Sequence, residues 1–313
     1  MRPDFCCLTH QVSIVSRGFF SGDLRLRTVI IELFIALAAV AGFGAGYLLW
    51  DKQANYYVTD VSTLGPGPEN DLVRYGHALI VDTPRYIGKS AENPEMRFGS
   101  NDLACQSCHL KAGLQPFAAP FVSTAATFPM MVDNQVLPLP DRINACVAFG
   151  LNGRALPDDS REMEALIAYM QFVGKGTPEG VRVPGMGLMP IALPAAVPDS
   201  RRGAGVYAQR CASCHGEDGQ GEPKDSPEVG YYVPPLWGEG SFNGGAGMGK
   251  IAYAASYIRS NMPIGVDYQT PVLSVQEAWD VAAYMISHPH PVAPPLPPEP
   301  EIPAEAAEEN PEN

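Results

Sequence analysis

Cysteine and basic charge are both scarce in this chain, and each scarcity removes possibilities. Only seven of 313 residues are cysteine, and 21 Lys and Arg face 34 Asp and Glu, for a formal net charge of -13. With no basic excess to neutralise phosphates, the chain is not expected to bind nucleic acid. Two C-x-x-C pairs are present, but 106 residues separate them; a zinc ribbon would place its knuckles roughly 15 to 20 residues apart. Charged residues make up only 18%, while Gly and Pro number 31 each. That balance predicts long loops wrapped on a few helices.

What the cysteines do is legible from their neighbours. Both pairs continue into histidine, as Cys105-Gln106-Ser107-Cys108-His109 and Cys211-Ala212-Ser213-Cys214-His215. A redox dithiol has no need of that histidine. In C-x-x-C-H the two thiols form thioethers to heme vinyl groups and the histidine reaches the iron. The sequence therefore predicts two covalently bound heme c groups, attached through Cys105, Cys108, Cys211 and Cys214, with His109 and His215 as iron ligands.

The ends of the chain differ from its middle. Residues 1–28 show no period and read as a cytoplasmic N-terminal segment. Residues 29–50 are an apolar run with the single charge Glu32, long enough to cross a bilayer as a helix of about 33 Å. Arg2, Arg17, Arg25 and Arg27 precede it, so the positive-inside rule exports everything after Asp51. The expectation is a transmembrane anchor on the periplasmic side of a bacterial inner membrane. The alternative is a cleaved signal at Ala39-Val40-Ala41, which would leave a soluble periplasmic protein. Residues 51–70 read as a linker. Residues 289–313 are Pro-rich and acidic, hold six of the negative charges without any Lys or Arg, and read as a disordered tail.

Between these ends the heme motifs superpose into a repeat, units 71–178 and 200–288 joined by a Pro/Gly-rich linker, 179–199. Each unit shows a helical approach to C-x-x-C-H, a loop, a helix, and a final amphipathic helix. The last helix of the second unit opens on the capping-box pattern Ser274-Val275-Gln276-Glu277, and that of the first on Asp159-Ser160-Arg161-Glu162. This arrangement resembles the class I cytochrome c fold, most closely in the second unit, where Cys214-His215-Gly216 precedes Pro234-Pro235-Leu236 and Met262-Pro263. The resemblance implies a mostly α chain of two tandem class I cytochrome c domains behind the N-terminal transmembrane helix. It also implies that the Pro loop orients His215 and that Met262 completes the ligand set of the second iron.

The first unit has no Met-Pro at the matching place. It has Cys146 instead, 37 residues after His109 in Asp141-Arg142-Ile143-Asn144-Ala145-Cys146. On spacing alone Cys146 is either a small buried hydrophobe or a thiolate ligand to iron. The pieces Arg74-Tyr75-Gly76, Thr83-Pro84-Arg85-Tyr86, Cys108-His109-Leu110-Lys111-Ala112-Gly113, Arg142-Ile143-Asn144-Ala145-Cys146, Asn152-Gly153-Arg154, Ser241-Phe242-Asn243-Gly244-Gly245 and Asn261-Met262-Pro263 together resemble the TsdA-type diheme thiosulfate dehydrogenases. That family oxidatively couples two thiosulfates to tetrathionate, or runs the reverse. The resemblance implies a catalytic first heme ligated by His109 and Cys146, an electron-exit heme ligated by His215 and Met262, and an external acceptor such as a small cytochrome c. The coupling of two dianions beside the iron calls for a cationic pocket. Arg142, one helical turn before Cys146, is the first candidate to supply it, with Arg154 and Lys111 as further ones. The family carries arginine upstream of this motif, where Met130 to Gln135 here has no basic residue, and Asn261 stands where some relatives have an exchangeable lysine. An electron-relaying diheme cytochrome without sulfur chemistry is the alternative, and Cys146 is what separates the two.

Overall fold

Two pairs of helices organise the chain, and in each pair a glycine sets the crossing. The computed structural model describes residues 60–294 apart from 133 and 267. All of these lie within one compact unit, residues 55–313. The first pair is α1 (Pro68–Val81) and α3 (Arg161–Val173). Helix α1 starts with Pro68 at its first position and carries Glu69 and Asp71 in its first turn, where the helix dipole favours negative charge. In α3 the Ser160 hydroxyl accepts the Met163 amide, capping the helix. Glu162 does not serve that cap; its carboxylate takes the Tyr75 hydroxyl at 2.7 Å instead.

Helix α2 (Leu139–Gly150) lies between them in sequence. The inward faces of α1 and α3 carry Leu79, Ile80, Met163, Leu166 and Tyr169, all buried, each aliphatic contributing about 1.5–3 kcal/mol. At the crossing a methyl group on Gly76 would stand 2.0 Å from the Ala165 carbonyl oxygen and 2.8 Å from the Tyr169 Cβ. The backbones therefore meet only because position 76 has no side chain.

The second pair repeats that contact. Helix α4 (Ser200–Arg210) crosses α6 (Val275–Ile286), and a methyl on Gly203 would lie 2.0 Å from the Asp280 carbonyl oxygen and 2.8 Å from the Tyr284 Cβ. The capping box expected at Ser274 is present: its hydroxyl accepts the Glu277 amide at 3.2 Å, and the Glu277 carboxylate accepts the Ser274 amide at 2.8 Å. Helix α5 (Ile251–Asn261) packs on α6 and ends immediately before Met262. Two short antiparallel hairpins complete the described chain: β1 (Met130–Val132) with β2 (Gln135–Leu137), and β3 (Glu222–Pro223) with β4 (Tyr231–Val233).

The expected fold included a membrane-spanning helix, and that part is corrected. The described chain is mostly helical, and among the described residues no helix is long and apolar enough to cross a membrane. The run 29–50 on which the expectation rested lies outside the described residues, as do residues 1–28 and most of the acidic tail. Apolar composition alone identified the span, and composition does not distinguish an anchor from a processed leader.

Candidate heme and substrate site

Each attachment motif is fixed by the helix that leads to it. Helix α4 runs directly into Cys211, whose amide closes on the Tyr207 carbonyl. In the first unit the link is Thr83, fully buried just after α1. Its hydroxyl donates to the Leu79 carbonyl at 2.6 Å and accepts the Cys105 amide at 2.9 Å. The Gln106 side-chain amide adds a bond to the Val81 carbonyl at 2.8 Å. Sequence reasoning assigned Thr83 no role, because its partner Cys105, whose sulfur it also meets at 3.4 Å, lies distant along the chain.

Both motif histidines are oriented through one ring nitrogen. His109 Nδ1 lies 2.6 Å from the Ala119 carbonyl and His215 Nδ1 lies 3.0 Å from the Pro234 carbonyl. A carbonyl only accepts, so Nδ1 carries the hydrogen and Nε2 keeps its lone pair, the tautomer a metal requires. Burial also lowers the His215 pKa and holds the ring neutral. The Pro loop thus orients His215 as the cytochrome resemblance implied, while in the first unit Ala119 does the same work without a proline. Ala119 does so from the left-handed region (φ 49°), as do Lys111, Ala112 and Phe117 (φ 53°, 54° and 58°). Such backbone costs about 1–3 kcal/mol per residue and persists only where its surroundings enforce it.

One cavity of about 590 Å³ is lined by both motifs, with Cys108 from the first and Cys211, Cys214 and His215 from the second. Met262 and Tyr257 line it too, and the Tyr257 hydroxyl is buried there without a partner. The His215 ring, three attachment thiols, a thioether and an orphaned hydroxyl facing one apolar space fit covalently bound heme c. No disulfide consumes Cys105, Cys108, Cys146, Cys211 or Cys214.

Cys146 sits on α2 with a different electrostatic setting from the attachment thiols. Burial pushes Cys105 and Cys211 up to about 11 and Cys108 up to about 12. It pushes Cys146 up too, but the neighbouring His109 ring and the Arg142 charge outweigh it, and the net pKa is lowered. The Arg142 guanidinium donates to the Cys146 sulfur at 3.3 Å from an exposed position one turn earlier. Cys146 therefore sits beside a cation, which favours thiolate.

The other expected cations lie elsewhere. Arg154 donates to the Glu95 carbonyl at 3.0 Å and stacks over the Phe98 ring, 3.9 Å from its centroid. Lys111 lines the shared cavity beside Cys108. The stretch without basic residues opens with β1, Met130–Val132, and leaves Met131 65% exposed. Asn261 does not face solvent as an exchangeable ligand would; it is buried and donates to the Phe117 and Tyr257 carbonyls, each at 3.1 Å.

Comparison with known proteins follows the same lines. The cytochrome c family matches residues 200–289. The thiosulfate dehydrogenase of Stutzerimonas stutzeri (strain A1501) is 34% identical over 262 residues, covering 83% of this chain and 79% of its own length. The chain belongs to the thiosulfate dehydrogenase family. A second member, from Allochromatium vinosum, is 37% identical over 241 residues, 75% of this chain and 84% of that protein. Among solved structures, the thiosulfate dehydrogenase (TsdBA) of Marichromatium purpuratum in its as-isolated form superposes with a TM-score of 0.67 at 32% identity. That match covers 76% of this chain and half the length of the other.

Proposed function

We propose that this thiosulfate dehydrogenase family member joins two thiosulfate anions into tetrathionate, 2 S2O3²⁻ → S4O6²⁻ + 2 e⁻, or runs the reverse. The observation that carries the reading is the Arg142 guanidinium donating to the Cys146 sulfur at 3.3 Å, with the His109 ring as a neighbour. A protein that only relays electrons has no use for a thiolate on one of its irons. The assignment is two tandem cytochrome c units, 71–178 and 200–288, with two covalent heme c groups. Cys105, Cys108, Cys211 and Cys214 attach them, His109 with Cys146 ligate one iron, and His215 with Met262 ligate the other. Bound heme supplies the one-electron carriers, and thiolate ligation lowers a potential that thioether ligation raises.

The remaining work falls to the chain. Two dianions must approach each other, and one unit of opposite charge at 4 Å is worth about 4 kcal/mol at the effective dielectric of a protein surface. Arg142 is exposed on its outer side, so its unused N–H groups can bind a thiosulfate oxygen while Nη1 holds the sulfur. With Arg154 engaged by Glu95 and Phe98, Arg142 carries most of this charge, and Lys111 contributes from the cavity side. The second unit is the electron exit toward an external acceptor such as a small cytochrome c. Covalent heme attachment supports a location outside the cytoplasm.

The test is thiosulfate-dependent reduction of ferricyanide by the purified heme-loaded protein, with tetrathionate assayed as product. Turnover that yields tetrathionate is expected, and Cys146→Gly is expected to abolish it while both hemes remain attached. A Cys146→Gly protein that keeps full turnover would overturn the mechanism and leave the electron-relay reading.

A further inference from the structure

The last turn of any α-helix leaves carbonyls without intrahelical partners. On α2 that turn begins at Cys146 itself, and half of its remaining partners come from the other end of the sequence. The Ala148 carbonyl accepts the Asn243 side-chain amide at 2.9 Å, and the Phe149 carbonyl accepts the Asn243 backbone amide at 3.1 Å. The Gly150 carbonyl accepts from Asn101 at 2.9 Å, and the Val147 carbonyl from the Gly153 amide at 3.0 Å.

The network reaches further, and one buried atom in it, the Asn152 side-chain oxygen, has no partner. Asn101 also donates to the Ser241 carbonyl at 3.0 Å, and Asn152 donates to the same oxygen at 2.7 Å. The Asn243 side-chain oxygen takes the Gly245 amide at 3.0 Å. Ser241 and Asn243 are fully buried and Asn101 is 2% exposed, so no water stands ready to replace these bonds. The fit is steric as well: a methyl on Gly245 would stand 2.4 Å from the Phe149 ring.

We infer that Asn243, in the second cytochrome unit, is a positioning residue for the Cys146 sulfur in the first. This rests on the reading of Cys146 as an iron ligand. Cys146 lies two residues before the carbonyl Asn243 holds, so the loop 241–245 fixes the end of the helix that presents the thiolate. Without the Asn243 side chain the part-buried Ala148 carbonyl loses its partner and the last turn opens locally. The sulfur then samples positions away from His109. The second unit would accordingly frame the first unit's ligand set as well as carry its electrons away.

The test is Asn243→Ala in the full chain with both hemes attached, read by the ferric thiolate–imidazole spectrum and by redox titration. A tenfold weaker hold on the ferric state raises the first heme's potential by about 59 mV, with partial loss of the thiolate signature. The second heme keeps its thioether charge-transfer band and its potential. Unchanged potential and signature at the first heme would overturn the proposal, as would equal shifts at both hemes, which mark general loosening. If Asn243→Ala fails to fold, Gly245→Ala presses on Phe149 without deleting a hydrogen bond, and the same two readouts apply. A wild-type protein without any thiolate signature would overturn the ligand reading and the positioning role together; a wild type that shows it beside a variant that keeps it overturns the positioning role alone.

Discussion

Replacing Asp280 by alanine should destabilise the described unit by about 3 kcal/mol, at the lower end of the range for breaking a buried pair. The side chain is 3% exposed and receives Arg202 through Nε and Nη2, both at 2.7 Å. It also accepts the Asp199 amide at 2.8 Å and the Gln276 side chain at 3.0 Å. Arg202 is half-exposed and rehydrates once released, so the cost falls mainly on the amide and Gln276 groups left unpaired. For a unit of this size that corresponds to a fall in melting temperature of about 6–12 °C. The acid limb carries the sharper signature. Burial alone would raise the Asp280 pKa, but the Arg202, Asp199 and Gln276 hydrogen bonds outweigh it and lower the pKa below the ordinary carboxylate value. A lowered carboxylate contributes stability that is present above the unfolded pKa, near 4, and is lost as pH falls through the folded value. The gap between wild type and Asp280→Ala, measured by thermal melts from pH 7 downward, should therefore hold to about pH 4 and narrow below it. A gap that stays constant through that range would refute the charge argument and leave only a packing effect.

Two glycines in one helix make a matched pair. Gly203→Ala should destabilise by at least 1–3 kcal/mol, since its methyl would meet the Asp280 carbonyl, whereas Gly205, with nothing within 4 Å, should gain up to about 1 kcal/mol from alanine; denaturant titration of both variants checks the contrast. Arg142→Gln removes a charged hydrogen-bond donor from Cys146, a loss of about 1.5–3 kcal/mol, so kcat/KM for thiosulfate should fall roughly 10- to 150-fold with both hemes attached.

The parts of this protein legible in its sequence are those whose partners are close along the chain. The heme motifs announce themselves because thiols and histidine must be contiguous, and the Ser274–Glu277 box because capping spans three residues. Arg142 beside Cys146 follows from helical spacing. The rest depends on contacts with distant backbone. Thr83 holds Cys105 from 22 residues away, and Asn243 holds Ala148 from 95. A side chain bonded to a remote carbonyl leaves no periodic trace, and the glycine crossings at 76 and 203 are invisible until two helices are seen in contact. Arg154 is a contact of the same distant kind: its guanidinium lies over Phe98, 56 residues away in sequence, which its charge beside the motif does not reveal.

The left-handed loop behind the first motif has a consequence for biosynthesis. Phe117 and Ala119 are held there by the Gly185 and Gly187 carbonyls, and the Phe117 carbonyl by Asn261, 144 residues downstream. A chain that emerges N-terminus first on the side where heme is attached presents Cys105, Cys108 and His109 before those restraints exist. The loop cannot settle into its costly conformation alone, so the thiols stay accessible to the attachment machinery during that interval. The Ala119 amide gains its Gly187 partner with the linker, and the Phe117 carbonyl gains Asn261 only with the second unit. Maturation of the first heme site is thus ordered in time by the last third of the chain, and a truncation before residue 261 should halt it with heme attached but the histidine unsettled.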